Sequence, residues 1–123
     1  MKDWNKGLMA HLGMRFVEVG PDRVVLELDA GEPQTTVGGA LHGGTLMALA
    51  DTAGAAGTAA LGFRTATLES KTNFFAAAAA GKVRAESTPL HKGRRTHVWQ
   101  TRVTDETGRL LSLTIQTQMI LDK

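Results

Sequence analysis

The feature that most constrains the fold is a long apolar segment, His42 to Leu61, whose only formally charged residue is Asp51. Its Ala and Leu content favours helix, and it is longer than an ordinary strand. Apolar residues occupy every side, which predicts a helix buried all round. Gly54 and Gly57 keep this helix thin, so that neighbours can approach closely, and Gly62 is a candidate stop signal. The rest of the chain must therefore wrap one long helix.

The remaining chain has the alternation typical of strands. We expect a short N-terminal helix and then a hairpin that turns at residues 20–22. Further strands are predicted at 66–75, 82–90, 95–104 and 109–121, and the alanine run at 76–80 is too short to form an isolated helix. In the last strand one face collects Leu111, Leu113, Ile115, Met119 and Leu121, and the other collects Ser112, Thr114, Gln116 and Gln118.

These elements predict an α+β fold, a curved antiparallel β-sheet wrapped around one long central helix. A single sheet leaves part of such a helix uncovered, so we also expect self-association into a homo-oligomer. With 123 residues, 42% of them hydrophobic, the chain is expected to be one domain spanning residues 1–123.

Composition excludes several classes of function. The chain has no Cys, and its four His have no ligand spacing, so we expect neither a metal nor a cofactor. Basic residues concentrate between His91 and His97 without interleaved aromatics, which fits a local anion site better than a nucleic-acid partner. No apolar run is long enough to cross a bilayer and no signal-peptide pattern is visible, so a cytoplasmic protein without a membrane partner is expected.

Asp51 is the first candidate for chemistry, because a carboxylate in a buried helix is costly without partners. One interpretation is an ordinary polar position bonded to a neighbouring strand. The preceding segment, Gly38 to Thr45, favours another. Glycines at a helix start expose N–H groups at the positive end of the helix dipole, as in an oxyanion hole, although they also suit a plain flexible loop. A phosphate-binding loop is excluded, because Thr45 stands where that motif needs Lys.

The spacing of Gly43 and Asp51 sets a geometric condition. They are eight residues apart, which is about 12 Å along one helix. That is too far for both to act on one small reacting group. A second copy of the helix running antiparallel brings Asp51 of one subunit beside Gly43 of the other, and a two-fold dimer does so twice.

The stretch Leu41-His42-Gly43-Gly44, followed by Leu49-Ala50-Asp51 in an Ala-rich helix, resembles the hotdog-fold acyl-CoA thioesterases. It is most similar to the phenylacetic-acid-degradation type, which is related to the 4-hydroxybenzoyl-CoA thioesterases, and the resemblance covers nearly the whole chain. It implies that the Gly43 amide polarises the thioester carbonyl while His42 supports the loop. Asp51 of the facing subunit would act as general base or nucleophile.

The resemblance also implies two further catalytic positions and a higher assembly. A hydroxyl residue that helps to hold the water aligns with about Thr67. Relatives often place Asn or Gln six residues before the His, but here that position is Thr36, although Gln34 is close by. Family members are commonly tetramers formed from pairs of dimers.

Substrate contacts follow from the same resemblance. Coenzyme A carries phosphates that Lys92, Arg94 and Arg95 are placed to contact, although for any individual residue a solvated turn whose charges serve solubility is the favoured interpretation. The candidates for the acyl-binding region are Gly44, Leu46, Met47, Leu49, Phe74 and Trp99.

The leading hypothesis is an acyl-CoA thioesterase for a small or medium acyl or aryl group. The second is a non-catalytic module that binds acyl-CoA or small aromatics, favoured by Thr36 in place of an amide. A third is a structural oligomer with a decayed site. A dehydratase of the same fold ranks lower, because its His-Phe-Pro-Gly type of segment is absent.

Overall fold

The computed structural model describes residues 4–122, and within this range the chain forms two α-helices and six strands. The alanine run at 76–80 is not helical, and every predicted element is confirmed to within a few residues. The long helix ends at Ala59, shortly before Gly62. The bounds are α1 Gly7–Leu12, β1 Arg15–Val19, β2 Val24–Ala30, α2 Gly43–Ala59, β3 Arg64–Phe74, β4 Gly81–Lys92, β5 Thr96–Asp105 and β6 Leu110–Asp122.

The strands form one antiparallel sheet in the order β1-β2-β4-β5-β6-β3. Helix α2 packs against β2 to β6, so the sheet curves around it. This is the expected α+β hotdog architecture. Strands β1 and β3 are the two edges of the sheet, and β3 presents an unpaired edge along its 11 residues.

Helix α2 buries one side in the core and leaves the other open. Leu46, Leu49 and Ala53 are almost fully buried against the sheet. The two helix glycines permit close packing, since a Cβ at Gly54 would overlap the side-chain amide of Gln116 and one at Gly57 would overlap the indole of Trp99.

The prediction that α2 is buried all round is wrong for the single chain. An open stripe runs along the helix, in which Met47 is 41% exposed and the other members are partly exposed. The open stripe consists of Met47, Ala48, Asp51, Thr52 and Ala55. It contains the helix's one charge, so the side that the sheet does not cover is also the side that bears Asp51.

Strand β6 turns its polar face inward. The face towards α2 consists of fully buried polar residues: Ser112, Thr114, Gln116 and Gln118. On the opposite face four apolar residues are partly or largely exposed: Leu113, Ile115, Met119 and Leu121. Alternation is thus confirmed from Ser112 to Met119, whereas Leu111, predicted on the same face as Ile115, is fully buried in the core. Hydrophobicity alone does not decide which face of β6 is internal. The buried polar face supplies hydrogen bonds to Asp51 and its neighbours on β3.

No helix within residues 4–122 is long and apolar enough to cross a membrane.

A buried polar cluster fixes the C-terminal half of α2 to β5. The Trp99 indole Nε1 donates to Thr58 Oγ1 at 3.0 Å, and Thr58 Oγ1 lies 3.0 Å from His97 Nδ1. The Thr58 hydroxyl thus accepts from Trp99 and ties the buried His97 ring to α2. His97 is only 2% exposed.

Burial lowers the pKa of His97 below its ordinary value of 6.5, and the nearby positive charge of Lys92 and the neighbouring His91 act in the same direction. The unfolded chain therefore takes up a proton at a pH where the folded chain does not. The free energy of unfolding is expected to fall as pH drops below about 6.5 and to gain nothing from this group above that pH.

Urea unfolding between pH 5 and 8 tests this expectation. His97→Asn, which keeps an acceptor near the position of Nδ1, should flatten the pH dependence. His11→Asn, at an exposed histidine, should retain it. Asp105 titrates outside this window, because the Thr107 hydroxyl bond lowers its pKa below 3.8. Equal slopes for His97→Asn and the wild type would contradict the assignment.

Candidate active site

The N-terminus of α2 is capped by a histidine side chain. His42 Nδ1 accepts the Gly44 N–H at 2.8 Å, and the His42 backbone is extended, as an N-cap requires. The prediction that both glycine N–H groups are free is therefore wrong for Gly44. Among residues 4–122, the Gly43 N–H lacks a partner, so it is the candidate oxyanion donor at the positive end of the helix.

Gly43 lies in the wall of a cavity of about 370 Å³ that is otherwise lined by aliphatic and aromatic residues. The Phe74 ring lies against Gly43 so closely that a Cβ there would be 3.2 Å from it. Two predicted substrate contacts, Leu46 and Phe74, are thus brought to the candidate donor. The cavity lining is completed by Leu41, Phe75, Ala76 and Ala77.

Two turns further along α2, the Asp51 carboxylate is partly buried and hydrogen-bonded. Thr67 Oγ1 on β3 donates to Oδ1 at 2.6 Å. Gln116 Nε2 on β6 lies 3.4 Å from Oδ1 and 3.4 Å from the Asp51 backbone carbonyl oxygen. The expectation that Thr67 belongs to the site now has a geometric basis, because its hydroxyl meets the carboxylate directly.

Behind Thr67 lies a glutamine that the motifs did not identify. Gln118 Nε2 donates to Thr67 Oγ1 at 2.6 Å, and Thr65 Oγ1 lies 2.9 Å from Gln118 Oε1. The one signal for Gln116 and Gln118 in the sequence is their shared polar face on an otherwise apolar strand. That pattern does not reveal that Gln116 bonds to Asp51 and Gln118 to Thr67.

Asp51 lines a second cavity, of about 320 Å³. Its walls include Trp4 and Phe16, whose rings meet edge to face with centroids 5.4 Å apart. Met9 from α1 also lines the cavity, beside Thr65 and the helix residues Thr52, Ala55, Ala56 and Ala59. Sequence reasoning missed Trp4, Met9 and Phe16, because no motif connects the N-terminal segment with Asp51.

Several predicted site residues lie elsewhere. Trp99 and Leu49 are fully buried in the core and line neither cavity, which corrects their assignment. Thr36 is in an exposed loop and shares no hydrogen bond with Gly43 or Asp51 within residues 4–122. Met47 is not in the Gly43 cavity but on the open stripe.

Within residues 4–122, the Gln34 side chain bonds to neither Gly43 nor Asp51. Its Oε1 accepts the Gly31 N–H at 2.7 Å and its Nε2 donates to the Leu12 carbonyl at 2.8 Å. The side chain is 8% exposed and joins the loop before α2 to the end of α1. Its role is therefore structural.

The predicted phosphate contacts are exposed on the β4–β5 hairpin. Lys92 Nζ is paired with Asp22 at 2.7 Å, whereas no carboxylate in the described part of the chain pairs with Arg94 or Arg95. The two arginines thus remain available to an anion. Residues 4–122 contain no cluster of three His, Asp or Glu arranged for a metal ion.

A family model described as the Thioesterase superfamily matches residues 38–112. The 1,4-dihydroxy-2-naphthoyl-CoA hydrolase of Listeria monocytogenes is 34% identical over 113 residues, which cover 87% of this chain and 89% of that protein. The structure of a thioesterase from Haemophilus influenzae matches with a TM-score of 0.89 at 29% identity, covering 95% of this chain and 84% of that one. A variant of the phenylacetic acid degradation protein PaaI from Thermus thermophilus matches with a TM-score of 0.86 at 29% identity, covering 92% and 97%.

The chain therefore belongs to the thioesterase superfamily and is a hotdog-fold thioester hydrolase. The resemblance noted in the His-Gly-Gly segment and its following acid is confirmed at the level of the family.

The His42 cap gives a prediction for stability. His42→Ala removes the acceptor for the Gly44 N–H and should lower the free energy of unfolding by about 1 kcal/mol. His42→Asn supplies a short side-chain acceptor and should recover most of that loss. Chemical denaturation of both variants measures the effect, and an Ala variant as stable as the Asn variant would show that the cap contributes nothing.

Proposed function

We propose that this protein hydrolyses an acyl- or aryl-CoA thioester to the free acid and CoA, at sites that two chains build together. Asp51 of one chain acts on a carbonyl that the Gly43 amide of its partner polarises. The observation that carries the proposal is the hydrogen-bonded Asp51 carboxylate on the open stripe, the side of α2 that the sheet leaves uncovered. The CoA substrate is suggested by relatives named 1,4-dihydroxy-2-naphthoyl-CoA hydrolase.

Two chains are needed because Gly43 and Asp51 lie in separate surroundings within one chain. The lining residues of their two cavities do not overlap. The rise of the helix separates them by about 12 Å. An antiparallel α2 from a second copy covers the open stripe and joins the two half-sites, and the exposed edge of β3 offers hydrogen-bond groups to the same neighbour.

We extend the proposal to a pair of such dimers. The outer face of β6 presents Ile115, Met119 and Leu121, which are 40–48% exposed. Apolar side chains in a row on one strand favour burial against another surface. A second dimer on this face is consistent with the assembly that the family resemblance implies.

The reaction can follow two routes. In one, Asp51 takes a proton from water, and the water oxygen bonds to the carbonyl carbon. The partner's Gly43 N–H stabilises the charge that develops on the carbonyl oxygen. The C–S bond then breaks, and the sulfur of CoA receives the proton. In the other, an Asp51 oxygen attacks the carbonyl carbon, the CoA thiolate leaves, and water hydrolyses the resulting anhydride.

A single turnover in ¹⁸O-water separates these routes. Label that enters the Asp51 carboxylate supports the anhydride. Label that is confined to the product acid supports direct attack by water.

The acyl chain is expected to contact Leu46 and Phe74 beside the Gly43 donor. Arg94 and Arg95 are proposed to contact CoA phosphates, because they are exposed and unpaired within the described chain. Lys92 is the weaker candidate, since Asp22 already neutralises it.

A second candidate function is non-catalytic binding of acyl-CoA. It is favoured by the loop before α2, where Thr36 replaces an amide and Gln34 is bonded to Gly31 and Leu12. Purified protein, a panel of acyl- and aryl-CoAs and a thiol reagent distinguish the two functions. Thiol release supports hydrolysis, whereas ligand binding without release across the panel supports the binding module.

Asp51→Asn should lower kcat by roughly 10²–10⁴, because the amide can neither accept the proton nor attack. Glu69→Gln is the matched control, since Glu69 is an exposed carboxylate on β3 bonded to Thr117. Thiol release under saturating substrate measures both variants. A folded Asp51→Asn protein with full activity would reject the assignment.

Gly43→Pro should remove the oxyanion donor without disturbing the helix. Pro is tolerated at the first helical position, and the extended His42 backbone suits a residue before Pro. The loss of one donor should lower kcat by roughly 10²–10³. Gly43→Ala places a similar Cβ beside Phe74 but keeps the N–H, so it should retain most activity. Equal activity of the two variants would contradict the role of the amide.

A further inference from the structure

We propose that Gln118 is a positioning residue, which holds the Thr67 hydroxyl so that it donates to Oδ1 of Asp51 and leaves Oδ2 as the reacting oxygen. The proposal rests on the function proposed above, in which Asp51 is the catalytic carboxylate. It adds a residue on β6 that contacts neither the water nor the thioester.

The direction of each hydrogen bond follows from the carboxylate. An ionised Asp51 accepts only, so Thr67 must give its single proton to Oδ1, 2.6 Å away. Thr67 Oγ1 can then only accept from Gln118, which requires Nε2 to face it at 2.6 Å. The same orientation turns Gln118 Oε1 towards the Thr65 hydroxyl at 2.9 Å. Thr65 Oγ1 also lies 2.8 Å from the Met119 carbonyl oxygen, so its one proton has two acceptors, and the chain of donors that the carboxylate fixes leads from Gln118 through Thr67 to Asp51.

The Thr67 hydroxyl needs a rigid hydrogen-bond partner to hold it in one orientation, and Gln118 is that partner. Thr67 is exposed on an edge strand, where a threonine hydroxyl has several rotamers open to it. Gln118 is fully buried on β6 and directly opposite Thr67 in the strand register. A bond from this fixed amide selects the rotamer in which the Thr67 proton faces Asp51.

Gln116 adds a second donor to Oδ1 of Asp51, so the two carboxylate oxygens differ in their hydrogen bonding. Its Nε2 is 3.4 Å from Oδ1, and its amide packs where a Cβ on residue 54 would stand. Oδ1 therefore has two donors, whereas Oδ2 has none within residues 4–122. Donors stabilise negative charge on the oxygen that they contact, so the free oxygen is the more basic one and the one open to water or carbonyl carbon.

The test compares Gln118→Leu and Thr67→Val, singly and together, by the pH dependence of kcat. Gln118→Leu should lower kcat about tenfold with KM within about twofold, because a donor to a charged group weakens while substrate contacts remain. The acidic limb of the profile should move to higher pH. The double variant should be no worse than Thr67→Val, since both changes break one chain.

Two further variants separate positioning from packing. Gln118→Glu keeps the size of the side chain but can accept the Thr67 proton, so it should lower kcat at least as much as Leu. Gln100→Leu makes the same change as Gln118→Leu on neighbouring β5, opposite the exposed Ile115, and should leave the profile unchanged. Thermal unfolding establishes that each variant is folded.

Asp51→Asn in the same assay distinguishes a failure of the proposed function from a failure of the positioning role of Gln118. If it retains activity, the proposed function fails and the positioning role fails with it. If it is inactive while both Gln118 variants keep the wild-type kcat and acidic limb, the function stands and the positioning role is wrong. A loss in KM or melting temperature with an unmoved limb also overturns it, because packing alone would explain that result.

Discussion

A carboxylate on the central helix organises much of this molecule. Asp51 lies partly buried on α2, and a charge in that position needs donors from the surrounding sheet. Thr67 on β3 and Gln116 on β6 meet this need. Glutamines can reach the site only if the polar face of β6 points inward, which leaves Ile115, Met119 and Leu121 on the outer face. The position of one charge thus accounts for both the polar interior and the apolar exterior of β6.

The same helix explains why the proposed function needs two chains. Its core side packs tightly because Gly54 and Gly57 admit Gln116 and Trp99. Its open stripe is left with Asp51 among small and apolar side chains. Gly43, whose N–H has no partner within residues 4–122, lies two turns away and lines a different cavity. In the proposed function an antiparallel second helix would cover the stripe and join these halves, so that one interface would account for both the assembly and the chemistry.

Local sequence patterns predicted the helices and strands. The buried face of each strand and the contacts of the candidate site depend instead on pairing between distant segments. The apolar run with one acid was sufficient to predict α2, and alternation was sufficient to predict β6. Which face of β6 is buried depends on its partners across the sheet. The His-Gly-Gly segment suggested free N–H groups, but not that the His42 ring occupies the one on Gly44. Trp4 and Phe16 reach Asp51 only through the fold, and Gln34, close to the motif in sequence, bonds to Leu12 instead.

The central claim is that each site takes Asp51 from one chain and Gly43 from another. Co-refolding Asp51→Asn and Gly43→Pro chains in equal amounts tests it most directly. If sites are shared, each site takes its residue 51 from either variant and its residue 43 from either variant. One of the four equally frequent combinations then has both native groups, so thiol release should recover to about a quarter of the wild-type rate. The account would be contradicted if the chains have demonstrably exchanged and the rate of thiol release nevertheless stays at the mean of the two nearly inactive variants.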